Sequence, residues 1–449
     1  MAAARRPKGE GTAPRLLPDG RWRAELTLGT DATGKRDRKV VYGATKAECS
    51  ANLRAVIKAK DEGILTSGRA PTLGEWMHHW VDNIAPAKVR PRTLVGYRSY
   101  IRTWIDTSKV AKVRLDKLTP EHLEQLYKPL RDLRRSESTV AQLHRIISRA
   151  LTVAVRRGRV GFNPAQRMDA PQPAAFEPDV LTPDDARKLR RAAETADDGA
   201  RWLVALALGL RQGEALALAW DKIDLDAGVL HVHRELYSLP WEHGCPEAEA
   251  KPNDKRPCGR RADHCKHRKN GGRFVSEPKS DAGKRSLSLP EQLVEVLQRH
   301  KAAQLRIRAE EGKRWTGFTA ASGETLDLVF CQRSGNAYQA SKDWQAWKDF
   351  LKAAGVPAVR VHDARHTAAT LLLLMGVDGR VVMDMMGWSV ASMLKRYQHV
   401  LDEMKVSAAK KVGDALWAEP KPPAPAPEPE AKPAAAVLSM ADFRARRRA

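Results

Sequence analysis

The chain has 449 residues, 42% of them hydrophobic and 29% charged, which is too long for one ordinary hydrophobic core and indicates several domains. Lys and Arg number 78 against 54 Asp and Glu, so the formal net charge is +24 and we expect a polyanionic partner such as nucleic acid. The longest apolar runs are far too short to cross a membrane and the N-terminus has no secretory signal, so we expect a cytoplasmic protein that binds no membrane.

Residues 1–68 are predicted to form a small domain of strands followed by a helix. From residue 16 to 43, apolar and polar residues alternate around turn signals at Asp19-Gly20 and Thr33-Gly34, which is typical of two or three antiparallel strands. Thr45 is the expected N-cap of the helix. A DNA-docking surface and an ordinary solvated face both fit the cations of the strands, which are Arg21, Arg23, Lys35, Arg36, Arg38 and Lys39.

Residues 71–165 change to helical character. Four segments show apolar residues at helical spacing behind Ser, Thr or Pro start signals, which predicts an all-α module. Trp76, Trp80, Tyr97 and Trp104 fall at helical spacing and are expected in its core rather than in contact with bases. The proline-rich segment that follows indicates an interdomain linker, which we place at 166–179.

A mixed α/β, mainly helical part is predicted from residue 180 to 413. It begins with a clear helix start, with Thr182 as N-cap, Pro183 at the first helical position and Asp185 closing a capping box. Residues 414–449 are rich in Pro, Ala and Glu and end in "FRARRRA", so we expect a disordered tail with a basic tip.

Charged residues interrupt two of the most apolar segments of this part. In "ALALGLRQGEALALAW" (205–220), Arg211 and Glu214 lie three residues apart and would share a helical face, where a structural ion pair is the simplest explanation. In "SEPKSDAGKRSLSLP" (276–290), a turn signal precedes an alternating run, so Lys279 is expected on or near a β-hairpin.

The stretch "HDARHTAATLLLLMG" starts a helix with titratable and cationic groups. His362 and Arg365 would share one face of that helix, while the packed stripe is expected to be Ala364, Ala368, Leu371 and Met375. Further on, "MGWSVASMLKRYQH" (386–399) places Tyr397 on a short amphipathic helix, where a tyrosine is usually half-buried.

Each of these signals is weak alone, but their order is distinctive. G-L-R-x-G-E, a hairpin lysine, H-x-x-R-H-T, G-W-S and Y-x-H closely resemble the tyrosine recombinases, the phage integrase family, over residues 177–413. The helical module looks like the core-binding (SAM-like) domain of that family, and the N-terminal part resembles the arm-binding domain of bacteriophage and conjugative-element integrases. The resemblance implies a multidomain α+β fold: a three-stranded sheet plus helix, an all-α domain, and a mixed α/β catalytic domain.

The resemblance also implies how the residues share the chemistry of cutting a DNA phosphodiester without a metal. Arg211 and Arg365 would hold the non-bridging oxygens in fork geometry. Tyr397 would attack the phosphorus and form a 3′-phosphotyrosyl link. Lys279 would be the general acid for the leaving 5′-oxygen, and His362 would act in proton transfer or hydrogen-bond the phosphate.

Three further residues complete the expected site. Glu214 matches an acidic position of the family that supports the site without reacting. Trp388 stands where many members have histidine, and its indole can donate a hydrogen bond to the phosphate but cannot shuttle a proton. Lys284 and Arg285 are close rivals for the role given to Lys279.

The function implied is that of a site-specific DNA recombinase, an integrase that inserts or excises a mobile element in a bacterial or phage-infected, lysogenic cell. Its expected partners are double-stranded DNA at core and arm attachment sites, three further copies in a homotetramer, a directionality factor and a host DNA-bending protein. No cofactor is expected for catalysis. The alternatives are a relaxing enzyme of the type IB topoisomerase kind and an inactive, architectural DNA-binding protein.

Residues 237–275 form an insert that does not fit the compact hairpin of the family. Three of the five cysteines of the chain lie here beside several histidines. Two interpretations are open: a structural zinc site made by Cys245, Cys258, Cys265 and either His264 or His267, or a basic insertion with unconnected thiols. Cys49 and Cys331 lie elsewhere and are expected to be buried thiols in a reducing compartment.

Overall fold

The computed structural model describes residues 10–30, 36–61, 70–173, 179–246 and 258–397, with residues 409–410, 412–413 and 416. The chain divides into two compact units, Met1–Arg396 and Tyr397–Ala449. The predicted α+β fold with small sheets and many helices is confirmed in the first unit. The expected tail at 414–449 lies outside the described residues, apart from Leu416.

The N-terminal strands and helix form as the alternation predicts. β1 (Arg15–Leu16), β2 (Trp22–Thr30) and β3 (Arg36–Gly43) make an antiparallel sheet in that order, and α1 (Lys46–Asp61) packs on it. The inward residues Ala24, Leu26 and Val41 are buried with Cys49 of the helix. A Cβ atom at Gly43 would lie 2.4 Å from the backbone nitrogen of Cys49, so helix and sheet approach too closely for a side chain there.

The helical module has its own core. Its helices are α2 (Leu73–Asn83), α3 (Pro91–Tyr100), α4 (Pro120–Asp132) and α5 (Glu137–Arg156). Trp76 and Trp80 are buried as expected: the indole N–H of Trp76 donates to the carbonyl of Ala150 at 2.9 Å, and the ring of Trp80 stacks on Tyr97 with centroids 5.4 Å apart. These aromatic side chains hold the module together and are not available to stack on bases.

The third part contains the remaining helices and strands. The helices are α6 (Pro183–Ala193), α7 (Gly199–Leu208), α8 (Gln212–Leu216), α9 (Glu291–Glu311), α10 (Ala340–Ala353), α11 (Val361–Leu374), α12 (Gly379–Met386) and a final 3₁₀ helix, Ala391–Tyr397. The strands are β4 (Ile223–Asp224), β5 (Val229–Val232), β6 (Glu235–Leu239), β7 (Gly272–Ser276), β8 (Arg285–Ser288), β9 (Phe318–Thr319) and β10 (Thr325–Leu326). The capping box predicted at Thr182 and Asp185 is confirmed, with reciprocal hydrogen bonds.

The segment 205–220 is not one continuous helix. α7 stops at Leu208, Gly209 adopts a left-handed conformation with φ of +58°, and α8 begins only at Gln212. Arg211 therefore lies at the N-cap position of α8 in extended conformation, and its three-residue spacing from Glu214 makes a reciprocal cap rather than a shared helical face. Glycine permits this break because it has no Cβ to clash in the left-handed region.

The packed stripe predicted on α11 is partly wrong. Ala364 and Ala368 are buried, but Met375 is 71% exposed and the deep leucine is Leu373. α11 packs against α7 and α12, and its residues from Asp363 to Thr370 are buried, whereas Met375 is the C-cap, one residue beyond the end of the helix at Leu374. No helix among the described residues has the length and apolarity needed to cross a membrane.

The strands around the insert belong to separate small sheets. β6 and β7 pair with each other, whereas β8 pairs with β5 in the order β4-β5-β8. Lys279 lies on the connection from β7 to β8, so it comes after the β6–β7 hairpin and is not part of it.

Candidate functional site: two arginines at the end of α12

Arg211 and Arg365 converge on neighbouring backbone carbonyls. Arg211 donates from Nη2 to the carbonyl of Gly387 at 3.2 Å. Arg365 donates from Nη2 to the carbonyl of Met386 and from Nη1 to that of Gly209 at 2.8 Å. Because Met386 and Gly387 are consecutive, the two guanidinium groups lie side by side at the C-terminal end of α12, which is also where a helix dipole favours cations.

Two left-handed glycines make these carbonyls available. Gly209 ends α7 and Gly387 ends α12, with φ of +58° and +59°. The last carbonyls of a helix have no partner within it, so they can accept from the arginines. A Cβ atom at Gly387 would lie 2.7 Å from the carbonyl oxygen of Ala282, so the turn tolerates no side chain in this conformation.

Glu214 is a buried carboxylate held by two arginines. It accepts from Arg211 Nη1 at 2.5 Å and from the Arg211 backbone N–H at 2.9 Å. It also accepts from Arg285 Nη2 at 2.9 Å. Burial alone raises the pKa of Glu214, but the hydrogen bonds and charges of Arg285 and Arg211 outweigh it and hold that pKa at about 2. The carboxylate is therefore ionised at neutral pH and orients Arg211.

Arg285 is a member of this network that sequence reasoning identified only as a rival of Lys279. Its side chain is 6% exposed, and besides Glu214 it binds the carbonyl of Met385 at 2.7 Å. The signal was present in "RSLSLP": the alternation places Arg285 on the same side of β8 as Leu287, and Leu287 is buried. Arg285 thus holds both the C-terminal end of α12 and the carboxylate of Glu214 in place.

Trp388 and His362 flank the arginine pair. The guanidinium carbon of Arg365 lies 5.9 Å from the ring centroid of Trp388, and both side chains are buried. His362 is exposed at the start of α11 and packs edge-on against the ring of His366 at 5.0 Å. Partial desolvation lowers the pKa of His362, and the positive charges of Arg365 and Arg211 lower it further, so its imidazole is neutral at pH 7.

The start of α11 is fixed by a second buried carboxylate. Asp363 is fully buried and accepts from the backbone N–H and the guanidinium of Arg360 at 2.8–2.9 Å. This reciprocal cap sets the direction of the first helical turn. As a result, His362 is presented at the surface while Arg365, one turn later, reaches inward.

Lys279 lines a wide, mainly cationic cleft between α3 and the β6–β7 hairpin. The cleft has a volume of about 990 Å³, and its lining includes Lys88, Arg90, Arg92, Arg149, Arg211 and Lys279. Of the two acids in the lining, Glu235 pairs with Arg90 at 2.5 Å and Glu277 pairs with Lys284 at 2.7 Å. Arg90 also donates to the carbonyl of Pro278 at 3.0 Å, next to Lys279.

The two rivals of Lys279 are engaged elsewhere, Lys284 with Glu277 and Arg285 with Glu214. Lys279 is exposed, and no ion pair involves it in the part of the chain that the structure describes. It is therefore the lysine of this loop that is available to a bound polyanion.

Tyr397 is the last residue of the 3₁₀ helix Ala391–Tyr397, and its side chain is buried. The second compact unit of the chain begins at this residue. Its assignment as nucleophile rests on the motif and stays a prediction. His399 lies outside the described residues.

The insert brings its three cysteines together with a histidine, but not with either expected one. The ligand atoms of His243, Cys245, Cys258 and Cys265 all lie within 4.8 Å of one another. His264 was one of the two expected ligands, and its side chain is 73% exposed and outside the cluster. His267 is not in the cluster either. His243 precedes Cys245 by two residues on the segment that follows β6, so the same stretch of chain places both side chains in the cluster.

Comparison with known proteins identifies the family. The sequence model of the phage integrase family matches residues 284–404, and that of the N-terminal SAM-like domain of phage integrases matches residues 72–131. An integrase of Saccharopolyspora erythraea is 33% identical over 439 residues, which cover 92% of this chain and 98% of that protein. A tyrosine recombinase XerC-like protein of Caldanaerobacter subterraneus subsp. tengcongensis is 26% identical over 400 residues, covering 88% and 96%.

A solved structure shares the fold. The Tn1549 transposon integrase, in complex with transposon right end DNA, superposes with a TM-score of 0.58 at 17% identity and covers 77% of this chain and 99% of that one. These comparisons favour neither the topoisomerase nor the architectural alternative. The chain belongs to the phage integrase family, and it is a site-specific DNA recombinase of the tyrosine type, which cuts and rejoins DNA.

Proposed function

We propose that this recombinase inserts or excises a mobile element by cutting attachment-site DNA through a covalent 3′-phosphotyrosine on Tyr397. The observation that carries the assignment of the site is the convergence of Arg211 and Arg365 on the consecutive carbonyls of Met386 and Gly387. Two guanidiniums held side by side match the paired non-bridging oxygens of a phosphodiester.

Each arginine is oriented by the protein. A guanidinium has five N–H donors in a fixed plane, and the hydrogen bonds to Glu214, Gly209, Met386 and Gly387 set the direction of that plane. The two guanidinium groups would face the charge that builds up on the phosphorane-like transition state. Such pre-oriented donors typically contribute about 10²–10³ each in rate.

The proposed reaction is a balanced exchange at phosphorus. The phenolic oxygen of Tyr397 forms a bond to phosphorus while the bond to the 5′-oxygen breaks, and Lys279 gives that oxygen its proton. His362 is neutral at pH 7 and so can take the phenolic proton or donate a hydrogen bond to the phosphate. Trp388 supports Arg365 and donates its indole N–H to the phosphate. Attack by a 5′-hydroxyl on the phosphotyrosine reverses these steps and rejoins the strand.

We assign DNA to the cationic cleft between α3 and the β6–β7 hairpin, with residues 71–165 and 180–413 on either side of the duplex. The cation excess of the cleft fits the phosphate backbone. Residues 1–68 would bind arm sites, and residues 166–179 would be the linker that lets both sides close. Two duplexes with four strand cleavages require four tyrosines, so the active species would be a homotetramer, acting on DNA inside the bacterial cell.

Direction of recombination would be set by a directionality factor and a host DNA-bending protein. Members of the family cut DNA without a cofactor, and the Cys/His cluster takes no step in this chemistry. A zinc ion held there would be structural.

A nicked substrate that releases a short 5′ fragment tests the proposal, because cleavage then traps the covalent protein–DNA complex. We expect a covalent band with the wild type, none with Tyr397→Phe, and a band with Tyr237→Phe. Tyr237 is the matched control because it lines the cleft. A covalent band that survives Tyr397→Phe would refute the nucleophile.

A further inference from the structure

We propose that His243, Cys245, Cys258 and Cys265 bind one zinc ion that fastens the two sides of the insert between β6 and β7. The donors come from two short stretches, His243–Cys245 on the outgoing side and Cys258–Cys265 on the returning side. Three thiolates and one imidazole are a common donor set of structural zinc sites.

The distances between the donor atoms fit a tetrahedron around one ion. With the usual Zn–S and Zn–N bond lengths, two sulfurs of a tetrahedral site lie about 3.8 Å apart, and a sulfur and a nitrogen about 3.6 Å apart. Cys245 Sγ lies 3.5 Å from Cys265 Sγ and 3.9 Å from His243 Nδ1, and Cys258 Sγ lies 3.6 Å from the same nitrogen. These three distances are close to those that one tetrahedral zinc ion would impose, and all four donor atoms lie within 4.8 Å of one another.

The backbone around the cluster is arranged so that the two stretches meet. β6 and β7 pair from Glu235 to Ser276, and beyond them Glu242 and Lys269 form a further bridge. Arg268 covers the ring of Trp241 at 4.6 Å. A Cβ atom at Gly271 would lie 2.5 Å from the backbone nitrogen of Trp241, so the strands run close together up to the cluster.

A metal explains the thiols better than a disulfide does. The sulfur atoms of Cys245 and Cys265 lie 3.5 Å apart, well beyond the length of a covalent S–S bond. A disulfide between them would also not account for the thiol of Cys258 and the imidazole of His243 in the same cluster. One divalent cation, by contrast, binds all three thiolates and the imidazole together.

The ion would also affect the catalytic side of the hairpin. β7 runs from the insert to Ser276, and Lys279 follows three residues later. Cross-linking the distal end of the hairpin therefore restrains the strand that carries Lys279 towards the cleft. This consequence, unlike the metal site itself, rests on the proposed function of Lys279.

Zinc content distinguishes the proposed site from unconnected thiols and does not depend on recombination activity. The untagged full-length protein is purified under reducing conditions, desalted, and analysed by mass spectrometry of the metals. We expect about one zinc per chain in the wild type, in His264→Ala and in Cys331→Ser, and less than half of that in His243→Ala and Cys258→Ser. Substitution with Co²⁺ should give the thiolate charge-transfer absorption of a tetrahedral site in the wild type and weaken it in the same two variants.

Circular dichroism of every variant keeps loss of metal separate from loss of fold. Any of three results would overturn the proposal. The wild type could contain no zinc, the reduced preparation could contain a Cys245–Cys265 disulfide, or zinc could be lost in His264→Ala and kept in His243→Ala. Failure of Tyr397→Phe to abolish cleavage would leave the metal content unchanged, so the two proposals fail independently.

Discussion

Replacing Glu214 by glutamine should destabilise the protein, because it removes a buried negative charge that Arg211 and Arg285 stabilise. The hydrogen bonds and charges of Arg285 and Arg211 lower the pKa of Glu214 from 4.5 to about 2. At 1.36 kcal/mol per unit, this shift corresponds to about 3 kcal/mol of preference for the ionised form in the folded protein. Glutamine has the shape of the protonated acid, so about 3 kcal/mol of unfolding free energy should be lost at pH 7, and somewhat more if Arg285 stays buried without a counter-charge.

Urea unfolding followed by tryptophan fluorescence measures this loss, with Glu277→Gln as control. Glu277 forms an exposed ion pair with Lys284 and should show no measurable change. Because the folded pKa of Glu214 is depressed, its contribution is complete above pH 4.5 and disappears as the pH falls towards 2. The gap between wild type and Glu214→Gln should therefore shrink at pH 3. A loss below 1 kcal/mol at pH 7, or a gap that is the same at both pH values, would refute the account of Glu214.

Three further outcomes follow from the site. Gly387→Ala should lower the cleavage rate about a hundredfold in the nicked-substrate assay, because its Cβ would meet the carbonyl of Ala282. Gly355→Ala is the control: Gly355 also has a positive φ but open space around it, so this variant should cleave nearly as fast as the wild type. Arg365→Lys should lower the single-turnover cleavage rate about 10²–10³-fold with DNA binding retained in a gel-shift assay, since lysine cannot bridge carbonyls and phosphate in fork geometry. The wild-type rate should fall in acid as His362 becomes protonated, at a lower pH than an ordinary histidine because its pKa is lowered. His362→Asn should be slower and lose that dependence, and an unchanged pH profile in this variant would show that another group titrates.

The motif spacing predicted that Arg211 and Glu214 interact, but not how. Arg211 and Glu214 do form a pair, yet through a helix cap after a glycine break, because an apolar run shows the burial of a segment and not where its backbone turns. The alternation of "RSLSLP" could have identified Arg285 as an inward-facing arginine, but no local pattern shows that its partner is Glu214, which is distant in sequence and close only in the fold.

The exposed turns show the other limit of sequence reasoning. Met375 looks like part of a packed stripe because its spacing continues one face of α11, whereas the helix ends at Leu374 and Met375 is its exposed C-cap. Similarly, His264 is adjacent to Cys265 in sequence, yet His243 lies in the cluster, because strand pairing brings residues of the outgoing and returning chain together. Register across a hairpin is a tertiary property that short motifs do not encode.

The turn at Met386 and Gly387 couples the positions of Arg211 and Arg365. Both guanidiniums, and Arg285 through Met385, bind carbonyls of the same three consecutive residues. A displacement of this turn would move all three side chains at once, so the proposed phosphate site would be lost as a whole. We therefore expect Arg211 and Arg365 to act as one cooperative unit in DNA cleavage, in which losing the second arginine costs little once the first is gone.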